Sequence, residues 1–421
     1  MSLLTHLILP VLGELPIPGE LPVPLRYKSG GGNAGRVYGD ICRALATPPG
    51  PIHWEDWTPG DWRLAGRIAR QEGVAPLLYW TLHRIWPERM PLGMRQQLEH
   101  AWYNTTAHNT LIFAELEKIL AGLAQAGIPV IVLKGGALAA ILYEEIGLRP
   151  MGDLDLLIRP ADLDAALAVA RAQGYTLAEA EITPRLNRQI SHNEYLLGGP
   201  ENRIGLELHW NLIAGNADDR AVPTDWFWGQ TQSALISGDF AAGKMEIPHL
   251  SPTAHLLYIA AHLVLRHGGQ EERLIWFYDV DRLVRAGQVD WETLARQSSR
   301  LGWGPLTRYV LEETALYLNT PLPPGIAVKV ASGEAWAAFW RARGTAVAQA
   351  SPFSRTSRAL GHFRLGARLR VLAALVFPSP AYMRWRYDPK PAWLWPAFYG
   401  YRWAAILGGM VRSLFNRRGG R

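Results

Sequence analysis

The chain is short of cysteine. Cys42 is the only one in 421 residues, which leaves no partner for an intrachain disulfide and no set of thiolates for a zinc or iron–sulfur centre. The natural compartment for such a chain is the reducing cytoplasm. Long apolar runs are also missing, so no segment reads as a transmembrane helix. Met1–Pro10 is apolar, but it has no basic leading region and is interrupted by proline, so it does not read as a secretory signal. There is no internal repeat. What is present, 48% hydrophobic and 19% charged residues, suits a globular chain with a sizeable core and room for more than one domain.

Charge is unevenly placed. Between Ser351 and Arg421 there are thirteen Lys or Arg and one acid, Asp388, a net +12. The whole chain carries +6, so the preceding residues carry −6. A basic tail on an acidic body calls for an anionic partner, either a membrane surface or nucleic acid. In the same tail, arginines alternate with aromatics through Arg384-Trp-Arg-Tyr387, Trp393, Trp395, Phe398, Tyr399, Tyr401 and Trp403. That mixture fits a peripheral membrane contact, stacking on single-stranded nucleic acid, or a helical cap on the body.

Composition and periodicity divide the chain into five regions. Residues 1–50, rich in Pro and Gly, read as an irregular arm. Residues 51–109 have helical spacing, with Thr58-Pro-Gly-Asp61 as a turn into a helix starting near Trp62. Residues 110–215 alternate helix and strand: a helix over 111–125 closed by Gly127, a strand over 128–134, a helix to Tyr143, strands near 153–158, 194–197 and 203–210, and a helix over 161–173 closed by Gly174. Residues 216–350 read as mainly helical, and 351–421 as the basic aromatic region. The fold class is α+β, a small mixed sheet flanked by helical regions on both sides.

Chemistry concentrates in the middle region. In Arg149-Pro-Met-Gly-Asp-Leu-Asp-Leu-Leu-Ile158, Asp153 and Asp155 fall on one face of a strand, because side chains alternate with a period of two. Two half-buried anions side by side repel, and a divalent cation between them is the simplest remedy. Mg²⁺ prefers carboxylate oxygen and bridges to phosphates. Upstream, Leu133-Lys-Gly-Gly136 ends a strand and opens a helix, where glycine lets the backbone approach a phosphate and the helix N-terminus favours anions. Lys134 adds a point charge there, or is a solvated strand end. Downstream, Leu206-Glu-Leu-His-Trp210 places Glu207, a third acid, on one face with His209. His209 reads as a structural, hydrogen-bonded histidine. Arg149 either binds phosphate or pairs with Glu144, Glu145 or Asp153. In the helical part, His262, His267, Asp279 and Asp281 read as an interhelical His–Asp cluster. His192 carries less.

Taken together, Leu133-Lys-Gly-Gly136, Tyr143, Arg149, Asp153-Leu-Asp155 and Leu206-Glu-Leu-His-Trp210 resemble the polymerase-β-type nucleotidyltransferase superfamily, and within it a group of uncharacterised bacterial nucleotidyltransferases. The resemblance covers roughly Trp57 to Leu322. It implies a small mixed sheet, bound Mg²⁺, and transfer of a nucleoside monophosphate from an NTP to an acceptor hydroxyl or phosphate that no motif identifies. Asp153, Asp155 and Glu207 would be the catalytic acids and metal ligands. Lys134, Gly135, Gly136 and Arg149 would hold the nucleotide. A catalytically degenerate nucleotide-binding or scaffold protein on the same fold is the alternative. Sixteen residues separate Gly136 from Asp153, more than is usual in the superfamily.

Overall fold

A computed structural model describes residues 32–177, 193–200, 204–213, 222–237, 244–267 and 272–330, with parts of 366–404. His192 and the ends of the chain lie outside the described residues. The chain divides into two compact units, one of Leu21–Leu157 and Asp225–Trp340, the other of Met1–Glu20, Ile158–Thr224 and Arg341–Arg421.

The first unit begins with helix α1 (Asn33–Leu45), inside the stretch expected to be an irregular arm. The glycine run ends at Gly32, and from there Val37, Tyr38, Ile41, Ala44 and Leu45 bury one helical face. Helix α2 (Pro59–Gln71) starts three residues earlier than its apolar pattern suggests. Thr58 to Asp61 form a capping box: the Thr58 hydroxyl accepts from the Asp61 amide, and the Asp61 carboxylate accepts from the Thr58 amide. After α3 (Ala75–Ile85) comes α4 (Leu92–Gln125), a 34-residue helix about 50 Å long. It runs straight through the expected boundary at residue 109 and ends where Gly127 takes a left-handed φ of 68°.

Strand β1 (Val130–Val132) leads directly into α5 (Lys134–Leu142), and a short 3₁₀ turn at Ile146–Leu148 leads on to β2 (Asp153–Ile158). The connection before β2 is seated on α4. The Asn109 amide donates to the carbonyls of Ile146 and Arg149. A Cβ added to Gly147 would lie 2.0 Å from the Thr106 hydroxyl. After a short helix α7 (Thr224–Trp228), the unit also contains β6 (Thr231–Ser237) and β7 (Lys244–Leu250), a hairpin in the region expected to be mainly helical. Strand β7 pairs with β1 in parallel, with Val132 opposite His249. Helices α8 (Pro252–His267), α9 (Leu274–Arg285), α10 (Trp291–Arg300) and α11 (Gly304–Leu318) follow. Asp290 caps α10 by accepting from the amides of Glu292 and Thr293.

In the second unit, helix α6 (Leu163–Ala172) follows a 3₁₀ turn at Pro160–Asp162, and Gly174 closes it with φ 89°. Strands β3 (Thr176–Leu177), β4 (Asn193–Gly198) and β5 (Ile204–His209) form an antiparallel run in which Tyr195 faces Glu207 and Asn193 faces His209. Within this unit the strand order is β3-β4-β5, and within the first unit it is β2-β1-β7-β6. Parallel and antiparallel pairs occur together with helices, as the α+β expectation required. Strands β2 and β5 are covered on both faces: Leu154, Leu156, Leu157 and Ile158 are fully buried, as are Leu206, Leu208 and His209.

Candidate active site at the glycine turn and the acidic strands

The turn from β1 into α5 brings the first charged pair together. The Leu133 amide donates to the Asp155 carbonyl at 2.9 Å, so the end of β1 is tied to β2. Lys134 then takes φ 44°, in the left-handed region that costs a residue with a Cβ about 1–2 kcal/mol. From that position its ammonium donates to Asp155 Oδ1 at 2.6 Å. Asp155 is almost wholly buried, while Lys134 keeps 19% of its side-chain surface in solvent. Two neighbouring carboxylates were expected to need a cation. The protein supplies one itself, as the Lys134 ammonium. Asp153 opens β2 and is half-buried, two residues away on the same strand.

Gly135 and Gly136 are both buried in the first turn of α5, and Leu133 gives that turn no side-chain cap. The turn is uncrowded only because these residues lack side chains. A Cβ on Gly135 would lie 2.5 Å from Arg149 Nη1 and 3.1 Å from Met151 Cγ, and one on Gly136 would lie 3.0 Å from Val132 Cγ1. Glycine is therefore demanded at 135 by the Arg149 guanidinium beneath it, a reason that spacing alone does not reveal.

Arg149 pairs with an acid farther along the chain than the ones its neighbourhood suggested. Its Nε and Nη2 donate to the two oxygens of Asp279 at 3.1 and 2.7 Å, and its Nη1 donates to the Pro150 carbonyl at 3.1 Å. The Tyr143 hydroxyl donates to the same Asp279 at 2.6 Å. Burial alone would lower the guanidinium pKa; the Asp279 carboxylate more than offsets this and raises it. Burial, reinforced by Asp279, raises the Tyr143 hydroxyl well above its usual range. The other helical acid, Asp281, accepts from Arg285 and Thr320, and burial raises its pKa. Tyr258 lies edge-on to the His262 ring.

On β5, His209 Nε2 lies 3.1 Å from Glu207 Oε2, and the histidine is fully buried. The alternation of Leu206-Glu-Leu-His209 predicts that shared face. Each unit thus carries its own charged pair, Asp155 with Lys134 in the first and Glu207 with His209 in the second. The sequence pattern gives His209 a structural role, and its i, i+2 spacing to Glu207 was the signal for their pairing. Carboxylate oxygen and imidazole nitrogen are both donors that divalent cations accept.

A sequence model of an uncharacterised nucleotidyltransferase family matches residues 58–319, more than half of the chain. The chain belongs to this family. The matched span agrees with the Trp57–Leu322 range over which the motifs resemble nucleotidyltransferases, and it contains every candidate residue above. No curated protein matches the nucleotidyltransferase chain. Among solved structures it is similar to the antibiotic-resistance factor ANT(2'')-Ia, at 17% identity over 51% of this chain and 98% of that one, with a TM-score of 0.31. It is also similar to an antigenic nucleotidyltransferase-like protein from Paracoccidioides brasiliensis, at 14% identity over 51% and 96% of the two chains, with a TM-score of 0.33. No helix among the described residues is long and apolar enough to cross a membrane.

Proposed function

We propose that this chain is an Mg²⁺-dependent nucleotidyltransferase that moves a nucleoside monophosphate from an NTP to a hydroxyl or phosphate acceptor. The observation that carries this reading is the glycine turn Lys134-Gly135-Gly136 with the Lys134 ammonium 2.6 Å from Asp155 on the aspartate strand. Asp155 and Glu207 offer the oxygen donors that Mg²⁺ prefers, and Asp153 would complete the acid set from the same strand. Bound Mg²⁺ would draw charge from the triphosphate and its leaving pyrophosphate.

The protein's own groups have distinct tasks. The first amides of α5, with no side-chain cap, would receive phosphate oxygens at Gly135 and Gly136. Lys134, already paired with Asp155, would turn its ammonium to the triphosphate when a metal takes the carboxylate. Arg149, held under Gly135 by Asp279, adds fixed positive charge below the turn. His209 orients Glu207 through the 3.1 Å contact, which would let Glu207 act as ligand or as base toward an acceptor hydroxyl.

The test is Mg²⁺-dependent pyrophosphate release from each NTP with a panel of sugar phosphates, antibiotic-like small molecules, protein hydroxyls and RNA ends. Wild type should turn over with one class. The Asp153→Asn, Asp155→Asn double variant should fall to background while keeping its fold. Equal turnover by this variant sinks the mechanism. The ion pairs already made by Asp155 and Glu207 favour one competing reading, a nucleotide-binding protein without turnover. Calorimetry with a non-hydrolysable NTP and Mg²⁺ separates the two: binding with no pyrophosphate release under any acceptor supports the competitor.

A further inference from the structure

The described part of the C-terminal region has an exposed apolar surface that the proposed chemistry does not use. Two short segments are tied together there. The Trp403 indole donates to the Val376 carbonyl at 2.8 Å, the Tyr399 hydroxyl donates to the Pro378 carbonyl, and the Phe377 ring meets Trp403 edge-on at 5.4 Å. Holding these segments together does not bury them. Phe377 keeps 62% of its surface in solvent, Tyr401 64% and Trp393 72%, and Val376, Trp385 and Trp403 are exposed as well. Inward-facing Tyr382 and Met383 show that the same segments have an ordinary core side. The same tied segments therefore carry exposed apolar surface as well as a buried side.

Its charge is one-sided. Arg384, exposed on the helix Pro380–Tyr387, lies over the Trp395 ring at 5.4 Å. From residue 351 onward the sequence holds thirteen basic residues against one acid. Exposed Trp, Tyr and Phe beside arginine, with no spanning helix among the described residues, is the composition of a surface that sits in the headgroup layer of an anionic bilayer. Aliphatic exposure decides between the anionic partners. Val376 and Leu369 are open to solvent, and an aliphatic side chain gains from acyl chains but offers no ring for a base to stack on. Several aromatic faces are also spoken for: Tyr387 stacks on Phe398, and Arg384 covers Trp395.

We propose that this face is a peripheral docking surface for anionic lipid bilayers. It would bring the acidic body, and any acceptor site on it, to the membrane.

Flotation tests this with the full chain and two kinds of vesicle, phosphatidylcholine alone and phosphatidylcholine with phosphatidylglycerol. Binding should appear only with the anionic lipid and should weaken as salt rises. Phe377→Ser with Trp393→Ser, and separately Arg384→Glu, should each reduce the bound fraction, the double variant by about tenfold. Far-UV circular dichroism should match wild type, since all three positions are exposed. Tryptophan quenching of the unaltered chain by brominated phosphatidylglycerol vesicles gives a second readout that needs no variant. Absence of both flotation and quenching overturns the proposal. Retention on a single-stranded oligonucleotide without flotation also overturns it, by making the surface a nucleic-acid site. So does a wild-type dimer that the variants dissociate without any vesicle binding, which would make it a face between two copies.

Discussion

Asp279 grips Arg149 through both carboxylate oxygens, at 2.7 and 3.1 Å, across a sequence separation of 130 residues. Both side chains are buried. Helix α9 therefore reaches the glycine turn, because the guanidinium it holds is what Gly135 packs on. Asp279→Ala leaves a buried cation without its anion and should cost about 3–5 kcal/mol in urea unfolding. Tyr143→Phe removes one neutral donor to the same carboxylate and should cost less, about 1.5–3 kcal/mol. Comparable losses in the two variants would mean that the guanidinium finds another partner.

Gly135→Ala places a Cβ 2.5 Å from Arg149 Nη1, so either the turn or the guanidinium must move. Overpacking of this kind costs about 1–3 kcal/mol. Gly136→Ala meets only one methyl closely, Val132 Cγ1 at 3.0 Å, and should cost less. Thermal melts of the two variants compare them directly. If 135 tolerates alanine better than 136, the packing argument for that glycine is wrong.

Lys134→Met removes the ammonium that neutralises buried Asp155. Stability should drop by about 3 kcal/mol in metal-free buffer. Added Mg²⁺ should then raise the melting temperature of the variant more than that of wild type, since lysine no longer competes for the carboxylate. Equal shifts in the two proteins would show that Lys134 and the metal do not share Asp155.

His255 on α8 is fully buried, and neither ring nitrogen has a hydrogen-bond partner among the described residues. Burial, then the neighbours His249 and Arg149, lowers its pKa from 6.5 to about 3. Between those values the unfolded chain takes up a proton that the folded chain refuses. Above the unfolded pKa no proton-linked penalty arises, and stability is lost as pH falls below it, by about 1.4 kcal/mol per unit down to the folded value. His255→Leu should remove that slope from a plot of unfolding free energy against pH between 6.5 and about 3. An unchanged slope would assign the acid sensitivity to other groups.

Local pattern was a good guide where one segment carries its own reason for folding. Asp153–Ile158 is a strand with the expected bounds, and Gly127 and Gly174 close their helices with positive φ. Both the strand carrying Glu207 and the turn carrying Lys134 are legible for the same reason. The hairpin of β6 and β7 was not. Lys244-Met-Glu-Ile-Pro-His-Leu250 contains Pro248, which has no amide to donate to a ladder and so argues against a strand between two others. Pairing with β1 and β6 decides its conformation, and pairing is not a property of the segment. Asp279 as the partner of Arg149 was hidden for a related reason: three nearer acids offered themselves, and only the folded chain selects the distant one. The helix Asn33–Leu45 was masked by the glycines before it, although its apolar spacing stands in plain sight.

The long connection between the glycine turn and the aspartates has a mechanical meaning. Its sixteen residues look like slack. Yet Asn109 clamps two of its carbonyls, and Gly147 sits so tightly on Thr106 that no side chain fits between them. Made of the rest of α5 and a fastened 3₁₀ turn, the connection behaves as a strut: the distance from turn to aspartates is set by the middle of a 34-residue helix, not by the length of chain that joins them. Any force that tilts that helix would be felt at the acids as a change of reach.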